Sequence, residues 1–188
     1  MNDMGNIPLR MNDGSDLTLN DLRGEVVLMV NVASKCGLTP QYAGLERLWR
    51  DRQAAGLRVL AVPSNDFLGQ EPGTDAEIAA FCATTYDVTF PLAAKATVSG
   101  PDKHPVYAAL VATRPEAEGD GPMRQRLAGH GIQTNTAPEV LWNFEKFLIG
   151  RDGRVVGRFA PDVTAEDPRL LAAIDKALAE TAPAPVSA

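Results

Sequence analysis

Residues 26–42 read VVLMVNVASKCGLTPQY, from Val26 to Tyr42, and the fold turns on how this stretch is read. Val26 to Val30 is an uninterrupted β-branched and aliphatic run, the composition of a strand covered on both faces. The apolar character ends at Ser34-Lys35-Cys36-Gly37, and a helix start follows. Thr39 suits the N-cap, and Pro40 suits the first helical position, where a missing N–H leaves no bond unmade. Cys36 therefore lies beyond the carboxyl end of a strand, where open α/β sheets bind their ligands.

A lone cysteine is more often an inert buried thiol than a nucleophile, because free Cys is among the most buried residue types. Here the Ser/Lys/Gly setting, with Lys35 adjacent and a helix start behind, has the electropositive and partly exposed character that activates a thiol. A cysteine of pKa about 8.5 is roughly 3% ionised at pH 7, and one lowered to about 6 is roughly 90% ionised. That shift needs about 3.4 kcal/mol. A helix terminus supplies about 0.3–1 kcal/mol, and up to about 2 when partly buried. Further donors must come from elsewhere in the chain.

Downstream, a helix is expected from Pro40 to Ala55, with Leu45, Leu48 and Trp49 on one face and Gly56 as its stop. Leu57 to Val62 reads as a second buried strand, which makes a βαβ unit with parallel strands. Upstream, Ile7–Met11 and Leu17–Leu19 flank Asn12-Asp13-Gly14-Ser15, the pattern of a short β-hairpin. The loop PSNDFLGQEPG, Pro63 to Gly73, follows the second strand and belongs to the same ligand-binding end of the sheet.

Thr74-Asp75-Ala76-Glu77 is a capping box, and Ile78, Phe81 and Cys82 then share one helical face, so Cys82 reads as partly buried. The residues up to Phe90 suggest a short strand, and Val106 to Ala112 a short helix. Thr113 to Pro138 has weak periodicity and reads as a long loop with one helical turn at Met123–Leu127; loops of that length are usually functional or mobile. Glu139 to Ile149 resumes strand character, with Trp142 and Asn143 near its start. Gly150-Arg151-Asp152-Gly153 turns the chain into an antiparallel strand at Val155–Phe159. Asp167 and Pro168 open a last helix with an apolar stripe of Leu170, Leu171, Ile174 and Leu178. Residues 181–188 read as a disordered Pro/Ala tail.

With 188 residues and 45% hydrophobic content, the chain fits a single α/β domain over residues 1–180. A net charge of −6, without clustered Lys and Arg, argues against nucleic acid. No membrane span or secretion signal is visible. Two cysteines are too few for a disulfide scaffold, so a reducing compartment, the cytoplasm, is expected. His104 and His130 have no ligand spacing around them, so neither a metal nor a cofactor is expected.

Singly, Gln70 reads as a solvated loop residue, Trp142 as a core aromatic and Asn143 as a turn residue. Together, NVASKCGLTPQY, NDFLGQEPG and WNFEKFL resemble, in the same order, the three signature blocks of the glutathione peroxidase family. GPDKHPVYAAL and DGRVVGRFAP add to the resemblance, which runs from about Ile7 to Leu178. It implies a thioredoxin-like fold, with a central mixed sheet flanked by helices, and reduction of hydrogen peroxide and organic hydroperoxides. By position it makes Cys36 the peroxidatic residue, surrounded by Gln70, Trp142 and Asn143. All three can offer uncharged N–H donors to a thiolate and then to the departing oxygen. The resemblance also makes Cys82 the thiol that resolves a sulfenic acid at Cys36 in thioredoxin-dependent members. A Cys36–Cys82 disulfide needs Cα atoms within about 7 Å; if the fold holds them farther apart, the helix from Asp75 must partly unwind, and a locally weak helix followed by Thr84-Thr85 would fit that.

The chain departs from many family members at Ser64, where they carry cysteine, at Asp66 (glutamine) and at Leu68 (glycine). Asp66 would oppose ionisation of Cys36 unless it is paired or turned away. Three readings stand at this level. One is a thiol peroxidase reduced by thioredoxin, or alternatively by glutathione. Another is a redox sensor that relays oxidation to a partner, and the last is a thioredoxin-like binding module with an unreactive Cys36.

Overall fold

A computed structural model describes residues 4–184. The hairpin forms as the Asp13-Gly14 turn requires: β1 (Leu9–Arg10) pairs antiparallel with β2 (Asp16–Leu17). β3 (Val26–Val32) is buried at every residue, as its continuous apolar run demands. α1 (Gln41–Arg52) follows and runs into a 3₁₀ turn at Gln53–Ala55. Gly56 stops it in the left-handed conformation, φ 103°, which costs glycine no Cβ clash. β4 (Leu57–Pro63) then lies parallel to β3, Val32 facing Pro63 at the shared carboxyl end.

α2 (Asp75–Tyr86) begins on the expected capping box: Thr74 Oγ1 accepts from Glu77 N–H, and Glu77 Oε2 accepts from Thr74 N–H. α3 (Pro105–Thr113) and α4 (Pro122–Gly129) precede β5 (Lys146–Ile149) and β6 (Val155–Phe159), and α5 (Pro168–Ala179) closes the chain from its Asp167 cap. The sheet order is β4-β3-β5-β6, with β5 antiparallel to both β3 and β6. The expected mixed sheet flanked by helices is thus present.

Four local expectations need correction. Thr39 does not cap α1: Pro40 holds the N-cap position with no side-chain bond, while Thr39 Oγ1 accepts from Cys36 N–H at 3.0 Å and donates to Ala33 O at 2.8 Å. The residues up to Phe90 form no strand; Leu92 and Ala93 make only isolated bridges to Ala61 and Met11.

The strand expected from Glu139 starts only at Lys146. Glu145 Oε2 accepts from Leu141 N–H at 2.6 Å, and Phe144 takes a left-handed φ of 70°, so the chain turns before pairing begins. Finally, the 113–138 segment is longer in helix than expected, and both its ends are held. Arg158, buried against Glu145 Oε1 at 2.6 Å, donates to the carbonyls of Arg114, Pro115, Pro138 and Glu139. The tail expectation falls partly on residues 185–188, outside the described residues.

Candidate active site

Sheet register brings three separated segments together. β3 and β4 end side by side, so the loops that follow them, 33–40 and 64–74, are neighbours. β5 runs the other way, with Lys146 opposite Val30, so the residues just before it lie past the same end. Asn31 ties this arrangement down: its Nδ2 donates to Trp142 O at 3.0 Å, and its backbone carbonyl accepts from Phe144 N–H. Lys35 N–H donates to Gln70 O at 3.0 Å and joins the first two loops.

Cys36 is 9% exposed. Leu38 N–H donates to its Sγ at 3.3 Å, and the carboxamide of Asn143 and the indole of Trp142 also act on the sulfur in the sense that favours thiolate. Asn143 Nδ2 donates to Gln70 Oε1 at 2.8 Å. The four residues are therefore one constellation, with Gln70 orienting Asn143 instead of bonding the sulfur itself. The aromatic face of Trp142 is held by Phe67, ring centroids 5.4 Å apart.

The resting thiol is nevertheless less acidic than the sequence suggests. Burial pushes the Cys36 pKa above its ordinary value, and the four donors, led by Leu38 N–H, offset only part of that. Lys35 does not compensate: it is exposed, and its charge is felt by Glu77 on α2. Asp66, the residue expected to oppose ionisation, is paired away, its Oδ2 accepting from Val98 N–H at 2.6 Å and Ser99 N–H at 3.1 Å. The donors are thus poised for charge that develops during attack more than for a standing thiolate.

Cys82 is a second free thiol, 1% exposed on α2. Burial raises its pKa, the Tyr42 hydroxyl favours its thiolate, and the charge of Glu71 opposes it. Cys36 is not among the groups that act on it. Of the twelve residues of α2, only Ile78 and Cys82 are buried, and Thr84 Oγ1 bonds back to Ala80 O. Opening this helix would release Ile78 and Cys82 from full burial and Phe81 and Tyr86 from half-burial against the core.

Two site-supporting residues were not singled out from the sequence. Lys146 is fully buried, with Nζ donating to Phe144 O, Gln41 Oε1 and Pro161 O at 2.6, 2.8 and 3.0 Å. Burial without a bonded carboxylate lowers its pKa to about 7. Its place in WNFEKF, one pitch beyond Asn143, was the signal available. Glu71, next to Gln70, is a buried carboxylate in a loop that composition alone marks as solvated.

The glutathione peroxidase family model matches residues 6–111. The chain belongs to the glutathione peroxidase family. Within it, the chain is 48% identical over 173 residues to the thioredoxin/glutathione peroxidase BtuE of Escherichia coli, covering 89% of this chain and 93% of that one. It is 46% identical over 166 residues to the hydroperoxy fatty acid reductase Gpx2 of Synechocystis, covering 88% and 93%. The apo crystal structure of Trgpx superposes with a TM-score of 0.69 at 32% identity, covering 96% of this chain and 98% of that one. The fold is thioredoxin-like, and the protein is a peroxidase. Among the described residues no helix is long and apolar enough to cross a membrane.

Proposed function

We propose that residues 1–180 form one thiol peroxidase unit in which Cys36 reduces hydrogen peroxide and organic hydroperoxides, Cys82 resolves the oxidised product, and thioredoxin restores both thiols. The observation that carries the reading is the convergence of Leu38 N–H, Asn143 and Trp142 on Cys36 Sγ.

In the first step the Cys36 thiolate attacks the terminal peroxide oxygen and the O–O bond breaks. The alkoxide or hydroxide leaves and takes a proton, and Cys36 becomes a sulfenic acid. Donors fixed around the sulfur stabilise the transferring charge without reorganising. The Cys82 sulfur then displaces the sulfenic oxygen as water, and a dithiol reduces the resulting disulfide by exchange.

The second cysteine on a lightly anchored helix favours thioredoxin over glutathione as reductant. The name of the Escherichia coli relative allows either, and that of the Synechocystis relative supports lipid hydroperoxides among the substrates. Two free thiols fit a reducing compartment such as the cytoplasm. The test is NADPH consumption with hydroperoxide, thioredoxin and its reductase. Turnover at background level, in a preparation whose thiols titrate as free, would sink the reading.

A further inference from the structure

Beneath the two thiols lies a group the steps above do not use. Glu71 is 1% exposed, and its Oε2 has no hydrogen-bond partner. Two other buried oxygens in the same region, Ser34 Oγ and Tyr42 Oη, also lack a well-formed partner. Buried polar atoms are almost always paired, because an orphaned one costs about 1–3 kcal/mol. Ser34 acts on the Glu71 carboxylate and Tyr42 on the Cys82 sulfur only through long contacts, and such a loosely bonded cluster marks a spot arranged for something other than stability.

The surroundings say what. On one side Glu71 faces Ser34 of the Cys36 loop; on the other its charge acts on Cys82 and on Tyr42. Its chain neighbour Gln70 bonds Asn143 at the Cys36 site. A cleft of about 400 Å³ runs over Ser34, Glu71, Ile78 and Phe81 and gives this spot an opening to solvent.

We propose that Glu71 is the proton acceptor for Cys82 when the disulfide forms, an inference that rests on Cys82 being the resolving thiol. The Cys82 S–H proton passes to the Glu71 carboxylate, and the Cys82 sulfur attacks Cys36 Sγ. The S–S bond forms as the S–O bond of the sulfenic acid breaks. The departing hydroxide takes the proton back from the Glu71 carboxylic acid and leaves as water. Cys82 is oxidised, the sulfenic sulfur is reduced to the disulfide level, and Glu71 ends as it began.

Without such a transfer the Cys82 thiolate is doubly disfavoured, by burial and by the negative charge of Glu71. Moving the proton onto Glu71 removes that charge in the same event, and the Tyr42 hydroxyl, which already acts on the Cys82 sulfur, donates to the new thiolate. Burial raises the Glu71 pKa, which makes it a better base nearer neutrality.

The other titratable or charged groups around Glu71 are Lys35 from the β3–α1 loop, Glu77 and Tyr86 from α2, Tyr42 from α1, and Lys95. Lys95 Nζ donates to the carbonyls of Glu71 and Gly73. Of the carboxylates, Glu77 is held below its ordinary value by its Thr74 bonds, so an acid limb nearer neutrality belongs to Glu71.

The experiment is rapid quench with an alkylating agent after one equivalent of hydrogen peroxide, with mass counting of thiol, sulfenic acid and disulfide, on wild type, Glu71→Gln and Glu71→Asp. For Glu71→Gln the ratio of disulfide-forming to sulfenic-forming rate constants is expected to fall about tenfold or more, with partial recovery in Glu71→Asp. In wild type the disulfide-forming rate is expected to fall on the acid side of neutrality, and Glu71→Gln to lose that limb. A ratio within about threefold of wild type, or a Glu71→Gln variant whose rate keeps the wild-type acid limb, overturns the proposal. If wild type forms no Cys36–Cys82 disulfide at all, the resolving role of Cys82 fails, and the proposal with it.

Discussion

The two cysteines sit in opposite kinds of environment. Cys36 belongs to a loop braced from every side: Thr39 Oγ1 holds its N–H, Leu38 N–H reaches its sulfur, and the 142–144 segment is tied to β3 through Asn31. Cys82 is more deeply buried, yet it lies on a helix whose only fully buried residues are Cys82 itself and Ile78, with Phe81 and Tyr86 half-buried against the core. The difference teaches how labour can be divided between two thiols in one small fold. In the proposed cycle Cys36 reacts where it stands, a role that rigid neighbours serve. In the same proposed cycle Cys82 has to reach Cys36, a role that an easily released element serves.

Substitution of the two thiols breaks the comparison most directly. Cys36→Ser is expected to lower peroxide consumption by about 10³-fold or more, since a serine hydroxyl in its place is too weak a nucleophile to take the peroxide oxygen. Cys82→Ser is expected to lower thioredoxin-driven turnover by about 10²-fold while sulfenic acid still forms at Cys36. Turnover that survives with glutathione would move the protein to the alternative reductant.

Smaller changes sharpen it. Asn143→Ala removes a donor that Gln70 orients and is expected to slow sulfenic acid formation by about 10–100-fold, read by stopped flow. Because burial raises the Cys36 pKa, the thiolate fraction is lost as pH falls through that higher value. The wild-type attack rate is therefore expected to go on rising with pH past about 8.5, where an ordinary cysteine would be levelling off. A plateau below neutrality would show that the resting sulfur is already ionised.

Thr39→Val leaves Cys36 N–H and Ala33 O unpaired in a buried loop and is expected to cost about 1–3 kcal/mol in urea unfolding. Asp66→Asn keeps an acceptor for Val98 and Ser99 while deleting the charge. An effect on the attack rate below about twofold is expected, and a large acceleration would mean that Asp66 does oppose the thiolate.

Much of this was legible in residue order. The all-apolar Val26–Val30 run, Gly56, the Asp13-Gly14 turn, the Thr74–Glu77 capping box and the Asp167-Pro168 helix start each carry a local physical rule, and each element formed where that rule puts it. The errors came where a side chain found a distant partner. Thr39 had the chemistry of an N-cap but was taken by Cys36 and Ala33. The 139–145 segment had strand composition but was turned by the Glu145 carboxylate and the left-handed Phe144. Lys35 was assigned an effect on Cys36 that its exposure forfeits, whereas Asp66 meets the exception expected for it, its carboxylate being paired with two backbone amides.

The sequence by itself determined most of the element types, the parallel βαβ unit and the β5–β6 hairpin and, through three signature blocks, the residues expected around Cys36. Local propensities and short-range periodicity are properties of neighbouring residues, so they can be read in order along the chain. Only the tertiary structure decided that Gln70 orients Asn143, that burial outweighs the donors on the resting Cys36, and that the Glu71 carboxylate is buried where its charge acts on Cys82. Those outcomes depend on solvent exclusion and on contacts between residues far apart in the chain, which the register of β3 with β4 and β5 creates.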